Sequence, residues 1–103
     1  MISRIWRGWT TPENADKYEA LLIEEIFIGI HERQIPGFRG IELLRRETNG
    51  LVEFVTKMEF ESLSAVRDFA GDDYEHAVVP EKAKTLLLKY DKRSRHYEIV
   101  SHS

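Results

Sequence analysis

Residues Gly40–Phe60 read GIELLRRETNGLVEFVTKMEF and carry the clearest structural signal in the chain. Two runs rich in β-forming residues meet at Asn49-Gly50, a dipeptide that tolerates the positive φ of a two-residue hairpin turn. In the second run, side chains alternate with a period of two, which puts successive residues on opposite faces of a strand. The mainly apolar row consists of Val52, Phe54, Thr56, Met58 and Phe60. The segment therefore predicts a β-hairpin with one apolar face and one mixed face.

The residues before the hairpin predict a strand and then a helix. Residues 2–9 suit a central strand, because the odd-numbered and the even-numbered residues, which lie on opposite faces, each include a tryptophan and an arginine. Thr11 can cap a helix, and Pro12 suits its first position. The apolar stripe of this helix is Ala15, Tyr18, Leu22, Ile26 and Gly29. The glycine either ends the helix or leaves room for a ligand. Further apolar residues outside the stripe leave two interpretations open: a helix end tucked under a loop, or a second surface facing a partner or a pocket.

The residues after the hairpin predict a second helix and a closing strand. The expected elements are a helix Leu63–Ala70 capped by Ser62 and ended by Gly71, an irregular segment 72–79, a helical turn 80–83, an extra strand or buried bend at 86–88, and a strand 95–100. The order βαββαβ predicts the ferredoxin-like arrangement of the α+β class, a four-stranded antiparallel sheet with its helices on one face. We expect a single domain over residues 1–103.

Composition narrows the function classes. The chain has 103 residues, 42% of them hydrophobic and 32% charged, as in soluble globular proteins. A net charge of −3 gives no general attraction to nucleic acid or to an anionic membrane. The absence of cysteine excludes disulfides, thiol nucleophiles and thiolate metal sites. No apolar run is long enough for a signal peptide or a membrane span, so a cytoplasmic location is expected.

The face of the sheet without helices predicts a partner. Depending on register, it displays Val55 with Leu43 or Leu44 and with Trp6 or Trp9. Such a face is unfavourable in water, and pairing two of them about a twofold axis closes a barrel across two chains. We therefore expect a homodimer.

Four segments carry a likeness to a known family, and together they span nearly the whole chain: Ile5–Thr10, Pro36–Gly40, Leu44–Arg46 and His96–Ile99. They resemble the antibiotic biosynthesis monooxygenase-like family of the dimeric α+β barrel superfamily. The resemblance implies a pocket inside each subunit, between sheet and helices. It also implies a range of activities, from cofactor-independent oxygenation of polycyclic quinol-type substrates to haem degradation. The family also includes proteins without known activity.

The haem-degrading branch of this family uses an asparagine on the first strand, a tryptophan on the second helix and a histidine shortly after it. In this chain the first-strand position falls near Trp6, and the helix Leu63–Ala70 contains no tryptophan. Only His76 lies in the appropriate region. Haem degradation is therefore not expected, and haem binding without turnover would need His76 to face a slot.

Two residues are candidate catalytic groups. His76 lies in the segment GDDYEH, where acidic neighbours suit an imidazole that acts as an acid or a base. The alternative is a surface or helix-capping histidine in a charged loop. The phenol of Tyr74 suits binding of a quinol oxygen, or else packs with its hydroxyl in water.

The candidate substrate contacts are Trp6, Arg4, Tyr18 and Phe54. Trp6 is expected to stack on a flat substrate, and Trp9, of opposite parity, to fill the dimer barrel. Arg4 shares the parity of Trp6 and either holds an anionic oxygen or pairs with Glu98 or Glu42, because buried charges usually have partners. The tyrosine either borders the same cavity or belongs to the core.

Two functions follow as hypotheses. One is a cofactor-independent monooxygenase that oxidises a small aromatic or quinol substrate; the other is a non-enzymatic dimer that binds an apolar metabolite or serves a structural or stress-related role. No metal is expected, since no paired histidine spacing occurs. A pocket of roughly 300 Å³ or more lined by His76 or Tyr74 favours the monooxygenase. A core filled by Trp6, Tyr18 and Phe54, with His76 in solvent, favours the non-enzymatic dimer.

Overall fold

The computed structural model describes residues 1–103 as five strands, four α-helices and one π-helical turn. The strands are β1 (Ile2–Thr10), β2 (Phe38–Thr48), β3 (Leu51–Phe60), β4 (Lys89–Tyr90) and β5 (Arg95–Glu98). The helices are α1 (Pro12–Leu21), the π-helical turn Leu22–Ile26, α2 (Phe27–Glu32), α3 (Leu63–Ala70) and α4 (Glu81–Lys84). None of these helices has the length and apolar composition needed to cross a bilayer.

The sheet has the order β2-β3-β1-β4, and β5 also pairs with β1. Every pairing is antiparallel. Both β4 and β5 lie along the same edge of β1, since β4 pairs with Gly8 and Trp9 while β5 pairs with residues 2–5. The predicted ferredoxin-like α+β arrangement is confirmed. The expected closing strand is shorter than predicted and forms a single row with β4, interrupted at residues 91–94.

Local signals placed the hairpin turn and the starts of α1 and α3 correctly. Asn49 and Gly50 have φ values of 52° and 77°, the two positive angles of a type I′ hairpin turn. The hydroxyl of Thr11 accepts the amide of Asn14 at 3.2 Å and caps α1. Ser62 caps α3 in the same way.

The first helical segment differs from the prediction in two respects. It contains the π-helical turn, where the amide of Phe27 donates to the carbonyl of Leu22, five residues earlier. It also continues through Gly29 to Glu32, so the glycine does not end it. The extra apolar residue Ile28 is exposed, and the interpretation of a helix end tucked under a loop is wrong for that side chain.

The core lies between the sheet and the helices and forms two clusters. The first consists of Ala15, Tyr18, Leu22, Val52, Phe54 and Ala83. The second consists of Ile35, Met58, Phe60, Ala65, Val66 and Phe69. The predicted apolar face of β3 is confirmed, because Val52 and Phe54 belong to the first cluster and Met58 and Phe60 to the second. Leu86 and Leu87 pack against the first cluster from a bend before β4, while Leu88 is exposed.

Candidate functional site

A cavity of about 60 Å³ lies on the helix-covered face of the sheet and draws residues from both core clusters. Of its fourteen lining residues, ten are hydrophobic. They are Arg4, Trp6, Tyr18, Leu22, Ile26, Phe27, Ile30, Thr56, Met58, Phe69, Val78, Pro80, Ala83 and Ser94. The cavity is thus an apolar space with few polar groups, which is the usual composition of a small-molecule site.

The π-helical turn shapes one wall of this cavity. Leu22 and Ile26 bound the turn, and Phe27 and Ile30 follow it; all four side chains line the cavity. The i→i+5 hydrogen bond widens the helix by one residue, so that Ile26 and Phe27 both reach the wall. π-helical turns often occur at functional sites. The apolar stripe in the sequence gave no signal that distinguished this turn from regular α-helix.

Arg4 is the one charged residue in the wall, and it is only 3% exposed. Its Nη1 donates to the carbonyl of Tyr74 and lies 2.9 Å from Nε2 of His96. Its Nη2 donates to the carbonyl of His76 at 3.2 Å. The guanidinium carbon lies 5.4 Å from the ring centroid of Phe69. These contacts hold the guanidinium in the wall of the cavity.

Arg4 does not form the ion pair with Glu98 or Glu42 that was one of its two expected roles. Glu98 lies opposite Ile2 in the sheet, while Glu42 pairs with Lys57 on the opposite face. Burial lowers the pKa of Arg4 to about 10, with no contribution from a neighbouring acid. The group is therefore a buried cation at neutral pH without a counter-ion in the protein, an arrangement that costs free energy until an anion binds.

His96 supports Arg4 and was not predicted as a site residue. Burial, and then the charge of Arg4, lower the pKa of the imidazole, which favours its neutral form. Because a guanidinium only donates, Nε2 must accept the hydrogen bond, and the ring proton then lies on Nδ1. Nδ1 is buried and has no hydrogen-bond partner. His96 lies opposite Arg4 in the antiparallel pairing of β1 with β5, so a correct strand register would have identified His96 as a neighbour of Arg4.

Ser94 is a second site residue that its neighbours in the sequence do not indicate. It is 3% exposed and lines the cavity, and its Oγ is buried without a hydrogen-bond partner. Its amide donates to the carbonyl of Glu75 at 2.6 Å, which fixes the backbone beside the cavity. A buried hydroxyl without a partner is unusual in a folded protein and is typical of a position where a ligand or water completes the contact.

The two tryptophans lie on opposite faces of the sheet. Trp6 lines the cavity, and its indole Nε1 donates to the carbonyl of Asp91 at 2.7 Å. This contact forms where the outer row of the sheet is interrupted. Trp9 lies on the uncovered face, with Lys89 Nζ 4.9 Å and the guanidinium of Arg7 5.3 Å from its ring centroid. The strand alternation of β1 accounts for both placements.

Tyr18 and Phe54 form the inner part of the site. Tyr18 is 1% exposed and lines the cavity, and burial raises the pKa of its phenol, so it stays protonated. Phe54 is fully buried and does not reach the wall; its ring meets that of Tyr18 edge to face, with centroids 4.9 Å apart. Phe54 therefore supports the cavity without lining it.

The side chains of His76 and Tyr74 do not line the cavity. His76 is exposed and forms an isolated bridge with Arg93. The ring of Tyr74 packs edge-on against His96, with centroids 5.0 Å apart. Only the backbone carbonyls of these residues contact Arg4. The side chain of His76 is exposed, whereas haem binding would need it to face a slot. No group of three histidine or acidic side chains is arranged to hold a metal ion.

Comparisons with known proteins identify the fold. No protein-family model matches the chain, and no curated protein has a significantly similar sequence. A Bacillus cereus protein proposed as an antibiotic biosynthesis monooxygenase is 14% identical with a TM-score of 0.67, over 99% of this chain and 95% of that chain. Rv0793 from Mycobacterium tuberculosis is 18% identical with a TM-score of 0.66, over 99% and 97%. This chain therefore has the fold of these proteins, which agrees with the resemblance to the antibiotic biosynthesis monooxygenase-like family suggested by its sequence.

Proposed function

We propose that this chain binds a small aromatic molecule in the cavity between sheet and helices. The observation that carries the proposal is the lining of the cavity, in which the rings of Trp6, Tyr18, Phe27 and Phe69 accompany the single buried cation Arg4. Flat rings in a wall favour a flat ligand. The volume of about 60 Å³ is well below the roughly 300 Å³ of larger ligand pockets, so we expect a single-ring ligand.

Tryptophan fluorescence tests this binding, because the chain has two tryptophans and only one of them lines the cavity. In Trp9→Phe, phenol or hydroquinone should change the emission of Trp6 in a saturable manner. The matched variant Trp6→Phe, which keeps only Trp9 on the opposite face, should show no saturable change. An equal response in the two variants, or no response in either, would refute the proposed binding site.

Arg4 favours a second candidate function, cofactor-independent oxygenation of the bound aromatic or quinol. A guanidinium in a site with little water stabilises an ionised hydroxyl, and the ionised form is the one that gives electrons readily to O2. In the balanced reaction, a dihydroxybenzene and O2 yield a hydroxybenzoquinone and water, with all four electrons supplied by the substrate. In this proposal, the charge of Arg4 promotes deprotonation, because His76 and Tyr74 lie outside the wall. The small cavity and the lack of a base in its wall favour binding without turnover as the alternative.

Oxygen uptake separates these two candidates. For a monooxygenase, hydroquinone should drive O2 consumption above its spontaneous oxidation, with one O2 used per hydroxybenzoquinone formed. Arg4→Met should lower the rate by about 100-fold or more, as expected when a group that stabilises a developing oxyanion is removed. If the pure protein consumes no more oxygen than buffer across hydroquinones, dihydroxynaphthalenes and anthrones, turnover is ruled out for these substrates, and binding without reaction is the better description.

We also propose that the chain acts as a homodimer, joined through the face of the sheet that carries no helix. The proposal rests on partly exposed apolar side chains gathered on that face: Ile5, Trp9, Leu44, Val55 and Tyr97. Leu44 and Tyr97 are 50% and 51% exposed. Ion pairs such as Arg46–Glu53 lie among them, so the face combines apolar contact with charges that can set the register between two copies.

A further inference from the structure

Two polar residues of the cavity wall, Arg4 and Ser94, here called the polar corner, contain hydrogen-bonding capacity that the protein does not use. A guanidinium has five N–H donors, and the contacts to two carbonyls and to His96 use three of them. The Oγ of Ser94 is buried without any partner. Both Arg4 and Ser94 line the cavity and are about as buried as core residues. Two N–H donors and one hydroxyl therefore remain for a ligand.

We propose that the polar corner binds the ionised hydroxyl of the ligand, so that the cavity selects a single-ring phenolate over a neutral aromatic molecule. The inference rests on the proposed function, since it requires that the cavity accept an aromatic ligand at all. It goes further by assigning the charge of that ligand and by assigning Ser94 as a specificity-determining residue. The ring would lie among the apolar side chains, with its oxygen directed at Arg4 and Ser94.

The charges around the cavity allow one negative charge on the ligand. Arg4 is the only lining residue with a formal charge at neutral pH, and no acidic side chain faces it across the wall. His96 accepts from Arg4 and is neutral, so it adds no second positive charge. Tyr18, the other titratable group of the wall, stays protonated. A buried positive charge without a counter-ion favours a monoanion and disfavours a cation.

The size of the cavity favours a phenolate over a larger anion. An ionised hydroxyl adds one oxygen atom to a ring, whereas a carboxylate or phosphate adds more atoms to a cavity of about 60 Å³. In the proposed arrangement, one phenolate oxygen accepts from Arg4 and Ser94 together, which would satisfy both an unused N–H donor and the unpaired Oγ. Hydrogen bonds to a charged oxygen are stronger than those to a neutral one, so this arrangement would lower the pKa of the bound phenol.

The experiment uses 3,5-difluorophenol, a single-ring phenol whose fluorine NMR shift reports ionisation of the hydroxyl and whose substituents add only single small atoms to the ring. Titrated with pH in the presence of excess protein, its pKa should be lower by at least one unit than in buffer, a preference of at least tenfold for the phenolate. Ser94→Ala, which removes an unpaired hydroxyl and leaves the charge, should reduce this shift. Arg4→Met should abolish it, and Arg4→Lys should retain part of it. Circular dichroism of each variant checks that it is folded.

The matched neutral probe is 3,5-difluorotoluene, in which a methyl group of similar size replaces the hydroxyl and which cannot ionise. Difluorophenol should displace it, and difluorotoluene should bind at least tenfold more weakly than the phenolate. If the neutral probe binds as tightly as difluorophenol at a pH where the latter is ionised, or if the pKa of difluorophenol is unchanged on binding, the anion inference is wrong while the aromatic site stands. If neither probe binds, the inference and the proposed function both fail. These comparisons on the wild-type protein keep the test decisive even if Arg4→Met does not fold.

Discussion

Phe54→Ala should lower the free energy of unfolding by about 3–5 kcal/mol, the usual cost of removing a fully buried aromatic ring. Phe54 has no exposed surface and lies between the ring of Tyr18 and the guanidinium of Arg45, at centroid distances of 4.9 and 5.2 Å. Its removal leaves a void directly beneath the cavity wall. Proteins of this size have a total stability of only about 5–15 kcal/mol, so the loss is a large part of the whole. Urea unfolding followed by circular dichroism measures it.

Tyr18→Phe is the matched control for this prediction. It keeps the ring that packs on Phe54 and removes only a hydroxyl that lines the cavity. We expect its free energy of unfolding to change by less than about 1 kcal/mol, since no packing is lost and no hydrogen bond contributes to the raised pKa of this phenol. A loss below about 1 kcal/mol for Phe54→Ala would contradict the placement of that ring at the centre of the core.

Leu44→Lys combined with Val55→Lys should raise the dissociation constant of the proposed dimer by at least about 100-fold. The two residues are opposite each other on neighbouring strands of the uncovered face. A twofold axis would bring four new positive charges into one interface, where like charges cost several kcal/mol. Both side chains are partly exposed in a single protomer, so the protomer itself should remain folded. Sedimentation equilibrium should give about twice the chain mass of 12.1 kDa for the wild type and the chain mass for the variant.

The helical surface supplies the control for the dimer prediction. Ile23 and Ile28 are exposed to the same extent as Leu44, at 50% and 49%, but they lie on helical segments away from the uncovered sheet face. Ile23→Lys with Ile28→Lys should leave the dimer intact. A wild-type protein that sediments as a monomer, or a dimer that dissociates only when the helical isoleucines are replaced, would refute the proposed interface.

The order of the elements could be predicted because its signals are local. A two-residue turn needs positive φ at Asn49 and Gly50, and a helix start needs a cap such as Thr11, so a few neighbouring residues suffice for each. The alternation along β3 identified its buried face for the same reason. Once the strands and helices were placed in order, the short connections left few arrangements open, and the ferredoxin-like sheet followed. The parity of β1 likewise separated Trp6 from Trp9.

The contents of the site depend on contacts between residues distant in the chain. Arg4 and His96 are 92 positions apart, and their pairing follows from the register of β1 with β5. The charged segment around His76 was compatible with a surface position for its side chain, but nothing in it indicates that its carbonyl contacts Arg4. The unpaired Oγ of Ser94 and the missing counter-ion of Arg4 are likewise properties of the packed molecule. Local sequence sets backbone conformation, whereas burial and hydrogen-bond partners depend on which distant segments meet, and the chemistry of this cavity is of the second kind.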